Sequence, residues 1–435
     1  MLKLIYHNLI ANWRRNIWLL LQISIIAYIA WILLDPVLVK LYVKHLDPGY
    51  DIERLVQLNI SEYPIGSSQQ PEEITHEEKM EHLNRILAKV KTHPDIEAAT
   101  LINPVCFEQM STNSSTFTPN DAYILVYFIP GTDFFKTFGL KDASTSVMKD
   151  FIEPPMTGNH AVISKSIAEY NFSGENPIGQ ILEKNSPYFE KYKEYSHTVS
   201  GVVNDAIYRS VFGRSPIAYY PMTSDIIKNW GGVSRLFIVM RLKEGINADD
   251  FATSLTSYAN SDLKSGPVYT HGPQSYTVNR KVNARDDDNS IIINGSIALF
   301  FFVNVFLGMM GTFYLQTRKR SMDAGILRSF GGSKRFVICE MIFEGLVMVT
   351  IACLIAFTVY YFQVHESGLT ALNIDGEYSA EFKGYMALWI DSFNKHFLII
   401  SGIIYAIMLI SVLIGIYIPA RRISRINPVD ALRDE

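Results

Sequence analysis

The chain has 435 residues, of which 48% are hydrophobic and 19% charged, with a formal net charge of −4 and a mean hydropathy of +0.11. This composition is too apolar for an average soluble protein and too polar for one buried wholly in a bilayer, so it predicts a few membrane spans and a large soluble part. The three cysteines are far apart, which excludes a disulfide framework and a cysteine metal cluster in the soluble part.

Four apolar segments are long enough to cross a membrane, because a bilayer core of ~30 Å needs about 20 helical residues. The predicted spans are 17–35, 291–315, 336–363 and 396–419. Asp35-Pro36 follows the first span instead of a small-residue cleavage site, so this span is interpreted as an uncleaved anchor. Apolar residues at helical spacing in 1–16 predict a short interfacial helix before it, and an ordinary basic flank of the anchor is the alternative.

Charge predicts the orientation of these spans. Lysine and arginine outnumber acidic residues in 1–16, 316–335 and 420–435, whereas acidic residues dominate the remaining polar segments. Positive residues mark the cytoplasmic side of a membrane protein. Both termini are therefore expected in the cytoplasm, and 36–290 and 364–395 outside.

The segment 36–290 predicts a large α+β domain. A strand–helix–strand pattern occurs twice, and two such units predict a ferredoxin-like lobe. Its segments are strand-like 53–61, helix-like 75–93 and strand-like 96–102, then strand-like 234–242, helix-like 247–263 and strand-like 275–282. Between the units, four further strand-like segments predict a second, mainly β lobe inserted into the first: 123–129, 161–164, 198–203 and 217–221.

Motifs for catalysis are missing from the sequence. It contains no GxSxG, no HExxH and no GxxxxGK[ST] phosphate loop, so any ATP would have to be bound by another chain. The run Arg285-Asp286-Asp287-Asp288 is interpreted as a solvated linker before the second span rather than as a cation site.

The stretch SMDAGILRSFGGSKR (321–335) lies between the second and third spans. Ser321 is a good helix N-cap and Gly331 a good left-handed stop, which together predict a helix of about nine residues. Met322, Ile326 and Phe330 form one apolar stripe surrounded by basic residues. Such a helix suits docking into a partner's groove, while the bases steer the approach. The alternative is a helix that lies on the lipid headgroups.

The segment 321–345, SMDAGILRSFGGSKRFVICEMIFEG, resembles MacB/FtsX-type ABC transporter permeases, in which a basic run precedes an E-I-G-I-x-R-A-x-G-A-like helix. The positions that match are Asp323, Gly325, Ile326, Leu327, Arg328 and Gly331, with Glu344 matching the family's glutamate in the third span. The ending PARRISRINPVDALRDE (419–435), with Arg421, Arg422 and Pro428, is similar to the family's ending. Segments 128–140, 161–182 and 199–206 resemble its periplasmic domain.

This resemblance implies a membrane protein with four transmembrane α-helices and a large extracytoplasmic α+β domain. That domain would consist of a porter-like lobe with an inserted sabre-like β lobe, placed at 141–230. The residues expected to couple to the ATPase are Met322, Asp323, Gly325, Ile326, Leu327, Arg328, Phe330 and Gly331. Glu344 is expected to act within the membrane, either paired with a cytoplasmic arginine or protonated. Arg421, Arg422 and Pro428 would frame the cytoplasmic contact surface.

The resemblance also implies partners and a location. The chain would form a dimer with a second copy or a paralogue, in the bacterial inner membrane, over a dimer of separate ATPase subunits. Those subunits would bind ATP and Mg²⁺, so no cofactor, metal or catalytic residue is expected in this chain. A periplasmic adaptor and an outer-membrane channel are further candidate partners. Membrane lipid is an expected contact, and nucleic acid is not.

Several functions fit this description. The leading one is an efflux or mechanotransmission permease, whose substrate is an antibiotic, a peptide or a lipoprotein. A lipoprotein-release permease and a sensor or signalling partner for antimicrobial peptides are the alternatives. A membrane-anchored enzyme is less favoured because the sequence offers no catalytic cluster.

Overall fold

A computed structural model describes residues 13–70, 72–109, 111, 113–116, 122–144, 149–154, 159–184, 186, 189–209, 214–315, 326, 329–367, 369 and 388–424. The chain divides into two compact units. The helical unit comprises the described parts of Met1–Leu41, Asp288–Asn373 and Ser392–Glu435, and the outer domain those of Tyr42–Asp287 and Ile374–Asp391.

Strands and helices alternate in the outer domain, whereas the helical unit consists of long helices. The helices are α1 (Trp13–Lys44), α2 (His76–Lys91), α3 (Phe134–Phe138), α4 (Lys165–Phe172), α5 (Phe189–Tyr192), α6 (Ser224–Asn229), α7 (Ala248–Ser261), α8 (Tyr276–Asn283), α9 (Arg285–Leu315), α10 (Lys334–Ser367) and α11 (Phe393–Ile423). The strands are β1 (Leu55–Glu62), β2 (Ile96–Ile102), β3 (Ser114–Thr116), β4 (Ala122–Phe128), β5 (Lys141–Asp142), β6 (Lys149–Asp150), β7 (His160–Ser164), β8 (Thr198–Val203), β9 (Ala206–Ile207), β10 (Arg214–Ser215), β11 (Ile217–Pro221), β12 (Phe237–Leu242), β13 (Lys264–Ser265) and β14 (Val268–Ser275).

The four predicted spans are confirmed as helices long and apolar enough to cross a membrane. The membrane-capable stretches are Ile17–Lys44, Arg285–Gly308, Lys334–Glu366 and Phe393–Ile423. The run from Arg285 to Asp288, predicted to be a solvated linker, has an exposed Arg285 and Asp286, but it forms the first turn of α9 instead of a linker, because α9 begins at Arg285. The first helix also continues through Pro36 to Lys44 instead of ending at residue 35.

Close helix contacts hold the helical unit together. A Cβ added to Gly345 of α10 would lie 2.0 Å from Ile416 Cδ1 of α11, so the two helices approach at this glycine. Ser24 Oγ of α1 donates a hydrogen bond to the Ala352 carbonyl of α10 at 3.2 Å. Small residues and hydroxyl groups are typical of helix contacts in membranes, where burial of apolar surface gives little driving force.

The outer domain is built on one long sheet, with the strand order β13-β14-β1-β12-β2-β4-β11-β7-β8-β5-β6 and β3 paired to β4. The part β14-β1-β12-β2 is antiparallel throughout, and its order is that of a ferredoxin-like unit. Helices α2 and α7 bury their apolar faces against these strands in one core cluster. The predicted ferredoxin-like lobe is therefore confirmed.

The second lobe extends the same sheet. The strand pairs β4–β11 and β7–β8 are parallel, whereas β7–β11 is antiparallel. Residue Ile102 of β2 pairs with Phe128 of β4, which joins the two halves. An aromatic cluster that includes Phe107, Phe134 and Tyr219 forms a core of this region. The inserted lobe therefore shares a sheet with the lobe it interrupts.

One predicted strand proved wrong. Residues 275–282 read as a strand because Tyr, Thr and Val favour extended structure. The last strand is instead β14, and 276–283 form the helix α8. Tertiary contacts override the local preference, since the fully buried Tyr276 anchors this segment in the aromatic core.

Candidate functional site

The predicted coupling segment is described in part. Met322, Asp323, Gly325, Leu327 and Arg328 lie outside the described residues, as does Pro428 of the tail. The described members are Ile326, Phe330 and Gly331, and they allow the apolar stripe to be examined.

Ile326 and Phe330 are both exposed. The Phe330 side chain is 89% exposed and that of Ile326 44%, and the Phe330 N–H donates to the Ile326 carbonyl at 3.2 Å. The bond places the two side chains one helical turn apart. Gly331 has a φ of +90°, the left-handed conformation expected of a helix stop. This short segment therefore presents apolar side chains that the described part of the chain leaves exposed.

The start of α10 follows directly. Ser333 Oγ accepts a hydrogen bond from the Phe336 N–H at 3.2 Å, and its carbonyl accepts from Val337 at 3.3 Å. Ser333 thus caps the helix that begins at Lys334. Three residues, Gly331, Gly332 and Ser333, separate Phe330 from α10.

Glu344 is buried in α10, next to Gly345, the glycine that lies close to Ile416 of α11. Glu340, one turn earlier, is also buried. Both carboxyl groups therefore lie within the helical unit. An acidic residue inside a membrane helix is costly to maintain, which makes this pair a candidate functional feature.

Arg421 and Arg422 are exposed at the end of α11, next to the equally exposed Tyr417. On the opposite face, Ile416 and Ala420 are fully buried. The arginines and Tyr417 line a shallow cleft together with Ile418. The end of α11 therefore presents a basic, partly aromatic surface, while its apolar face holds the helix in place.

Sequence reasoning missed a buried polar pair in the helical unit. His396 Nε2 of α11 lies 2.6 Å from Asp35 Oδ1 of α1, and both residues have 0% exposure. Trp31, one turn before Asp35, donates from Nε1 to Ser401 Oγ at 3.1 Å and stacks on Tyr360 at 4.4 Å between ring centroids. Aromatic side chains thus line the pair, and together these contacts join α1, α10 and α11.

The signal for this pair was present but was interpreted differently. Asp35-Pro36 was taken as the end of the first span, although an aspartate amid apolar residues is costly unless a partner compensates it. His396 opens the fourth apolar segment. A search for oppositely chargeable residues at the ends of predicted spans would have proposed the contact.

The outer domain holds several buried ionisable groups. Burial raises the pKa of Asp205 although the Ser166 N–H donates to its Oδ1 at 3.0 Å, and burial likewise raises the pKa of the Cys106 thiol. Among the described residues, no group of three or more His, Cys, Asp and Glu side chains is arranged to hold a metal ion. These groups belong to the hydrogen-bonding and packing of the domain.

Comparison with known proteins gives a consistent set of matches. Residues 49–258 match the family described as MacB-like periplasmic core domain. A curated relative, the macrolide export ATP-binding/permease protein MacB of Campylobacter fetus subsp. fetus (strain 82-40), is 23% identical over 292 residues, which are 66% of this chain and 40% of that protein. The chain thus matches about two fifths of the length of this relative.

Solved structures of outer domains are also similar. The periplasmic region of MacB from Actinobacillus actinomycetemcomitans has a TM-score of 0.30 at 14% identity, covering 55% of this chain and 97% of that one. A domain of a putative permease from Porphyromonas gingivalis has 0.27 at 16%, covering 52% and 92%. The extracellular domain of the noncanonic ABC-type transporter YknZ from Gram-positive bacteria has 0.24 at 13%, covering 50% and 100%.

Proposed function

We propose that this chain, whose residues 49–258 match the MacB-like periplasmic core domain, is a MacB/FtsX-type permease and forms the permease subunit of an ABC-type complex driven by a separate ATPase dimer. The ATPase would bind the segment around Ile326 and Phe330. Closure of the ATPase on ATP would move the spans and, through them, the outer domain. Movement of the outer domain would export or extract an antibiotic, a peptide or a lipoprotein.

One observation carries the docking proposal. Phe330 is 89% exposed on a short segment rich in lysine and arginine, three residues before a capped membrane helix. Together with the exposed Ile326 one turn earlier, it forms an apolar stripe beside basic residues, and exposed apolar patches rimmed by polar residues are typical of interaction sites. The partner surface that suits it has an apolar pocket with acidic residues around it, because the bases steer the encounter while the ring fills the pocket.

The relative's name supports the choice of transport. It combines macrolide export, ATP binding and permease in one protein. In the present sequence no phosphate loop occurs, which is why the proposal assigns ATP and Mg²⁺ to a partner. The export direction is carried over from the relative as part of the proposal, whereas the wider set of substrate classes comes from the resemblance of the sequence to the permease family.

The docking proposal is tested with Ile326→Ala/Phe330→Ala. The permease is assembled in nanodiscs with the ATPase that co-purifies with it, and both ATPase affinity and hydrolysis are measured. Truncating two buried interface anchors commonly costs about 2 kcal/mol or more, which corresponds to roughly a thirtyfold loss of affinity. Ile152→Ala is the matched control, because Ile152 is an apolar side chain 86% exposed on the outer domain.

Two results would refute the proposal. The first is a folded double variant with wild-type ATPase affinity and hydrolysis, which would support a segment that rests on the lipid headgroups. The second is the failure of any ATPase to co-purify with the wild-type chain from its native membrane.

A further inference from the structure

Helix α9 is the least covered of the four membrane-capable helices. Only 11% of the residues in its most apolar stretch are buried, compared with 28% to 39% in the other three. Lipid tails can cover an apolar helix surface as well as another helix can, so exposure of apolar side chains does not by itself indicate a partner. A polar side chain on the same surface does, because lipid tails cannot bond to it.

The exposed side of α9 carries a seven-residue repeat. From Ile293 onward, its positions follow one another at four, three, four, three and four residues, which aligns them along one side of a helix. The four large apolar members are between 40% and 65% exposed, and an added Cβ on the glycine would have nothing within 4 Å. The members of this α9 seam are Ile293, Ile297, Phe300, Asn304, Leu307 and Gly311.

Asn304 is the polar member of the α9 seam, and its side chain is exposed. It lies 11 residues before the end of α9 at Leu315, which corresponds to about 16 Å of helix and places it near the middle of a ~30 Å hydrocarbon core. Its Nδ2 donates to the Phe300 carbonyl at 2.8 Å, which leaves one N–H. Among the described residues, its Oδ1 accepts no hydrogen bond. An exposed carboxamide at this depth is costly, because hydrocarbon satisfies neither group.

Two glutamines of the other helices show the more usual arrangement. Gln363 of α10 accepts a hydrogen bond from the Tyr28 hydroxyl of α1. Gln22 of α1 packs against α9, since its Nε2 would lie 2.8 Å from a Cβ added to Gly308. Each of these carboxamides contacts a neighbouring helix of the same chain, whereas Asn304 bonds only to its own helix within the described residues.

A second copy of the chain is suited to satisfy Asn304. Copies of one sequence carry the same distribution of lysine and arginine, so they cross the membrane in the same orientation and their α9 helices run parallel. Parallel helices that pack along a seven-residue repeat bring residues of the same level face to face. A carboxamide is complementary to its own copy, because the partly negative oxygen of each accepts from the partly positive NH₂ group of the other.

We propose that the α9 seam is a contact between two copies of this chain, held in register by reciprocal hydrogen bonds between their Asn304 side chains. The apolar members pack on either side of this pair, and Gly311 allows the two backbones to approach. The family resemblance leaves open whether the second permease is another copy or a paralogue, and the α9 seam favours another copy. This inference goes beyond the proposed function, because it concerns the chain alone and involves no ATPase.

The geometry of the contact is tested by cross-linking in native membranes. Alanine first replaces the three native cysteines. Phe300→Cys and Leu307→Cys then place single cysteines on the α9 seam, and Leu299→Cys is the matched control, because Leu299 is 64% exposed but lies about 100° around the helix from Phe300. On mild oxidation, the two seam variants should form disulfide-linked dimers and Leu299→Cys should not.

The role of Asn304 is tested with the purified chain in liposomes. Copies labelled with a donor or an acceptor dye at a cysteine introduced at position 152 report the dimerisation constant by energy transfer as lipid is added. Asn304→Leu should weaken dimerisation about fivefold, which corresponds to about 1 kcal/mol. Asn304→Gln keeps a donor and an acceptor and should retain most of the affinity. Leu299→Ala should leave the dimerisation constant unchanged.

Several results would overturn the proposal. Cross-linking of Leu299→Cys as strong as that of Phe300→Cys would assign the contact to another face of α9. An unchanged dimerisation constant for Asn304→Leu would remove the role of the hydrogen bond, and this variant should fold, because leucine favours helix more than asparagine does. A chain that stays monomeric in liposomes would mean that lipid covers the seam, and capture of a different protein by Phe300→Cys would assign it to a paralogue. None of these results bears on ATPase docking, which is measured at Ile326 and Phe330.

Discussion

The buried pair of Asp35 and His396 allows a quantitative test of how the helical unit is stabilised. Each residue has 0% exposure, and one hydrogen bond of 2.6 Å joins them. Within the described part of the chain, Asp35 Oδ2 has no hydrogen-bond partner. Burying these polar atoms costs free energy, and the one hydrogen bond between them recovers only part of that cost. Three variants separate the cost of burial from the stabilisation by the hydrogen bond. They are Asp35→Leu, His396→Leu and the double replacement.

The expected magnitudes follow from this geometry. Removing one member of a buried ion pair typically costs about 3–5 kcal/mol, because the other is left buried without compensation. Replacing both with apolar side chains of similar volume is often neutral or stabilising by about 1–4 kcal/mol. Since Asp35 Oδ2 is unsatisfied, we expect the double variant to be at least as stable as the wild-type chain. Because the two single losses add to about 6 kcal/mol or more, the coupling energy of the cycle should be at least about 6 kcal/mol.

The assay is reversible unfolding of the purified chain in mixed micelles, with the free energy of unfolding measured for all four members of the cycle. Ser411→Ala serves as the control, because Ser411 Oγ donates to the Ile407 carbonyl of its own helix at 2.9 Å and, among the described residues, bonds to no second helix. Its effect should be small. If the double variant is destabilised by the sum of the single variants, the pair does not act as one unit and the reasoning is refuted.

Three further predictions concern other parts of the chain. Burial raises the pKa of the Cys106 thiol, so a maleimide should leave Cys106 unmodified at neutral pH until the outer domain is unfolded, and fast labelling of the folded chain would contradict this. Gly345→Val should destabilise the helical unit by about 1–3 kcal/mol, because its Cβ would overlap a buried side chain of α11, whereas Gly402→Ala, with nothing within 4 Å of its added Cβ, should leave the thermal unfolding midpoint unchanged. In spheroplasts, a cysteine at position 152 should react with an impermeant maleimide and one at position 330 should not; the reverse pattern would overturn the predicted orientation.

The local sequence pattern was sufficient to predict the helices and strands that bury one face. The strand predicted at 96–102 is Ile96–Ile102, and the helix predicted at 75–93 is His76–Lys91. Thr75 and Glu78 form the capping box that starts this helix, and Leu83, Ile86 and Val90 form its buried face. Such signals depend on neighbours within a few residues, so they can be read without knowing the fold.

Only part of the candidate site could be predicted from the local sequence pattern. The exposed stripe of Ile326 and Phe330 follows from helical spacing and from the resemblance of the surrounding segment. The α8 contacts could not be predicted, because the same residues favour a strand when they are considered alone. Asn283 donates a hydrogen bond to Glu108, which lies 175 positions away in the sequence and which the fold holds at a φ of +52°.

By itself, the sequence determined the four spans, the ferredoxin-like lobe and the basic segment, because hydropathy and periodicity are properties of neighbouring residues. Only the tertiary structure decided that Asp35 faces His396, 361 positions later, and that one sheet runs through both lobes. Such pairings depend on which distant segments of the chain pack against each other in the protein interior. Each buried polar group must find its partner among whatever the packing brings near, and that choice is made by the whole fold at once.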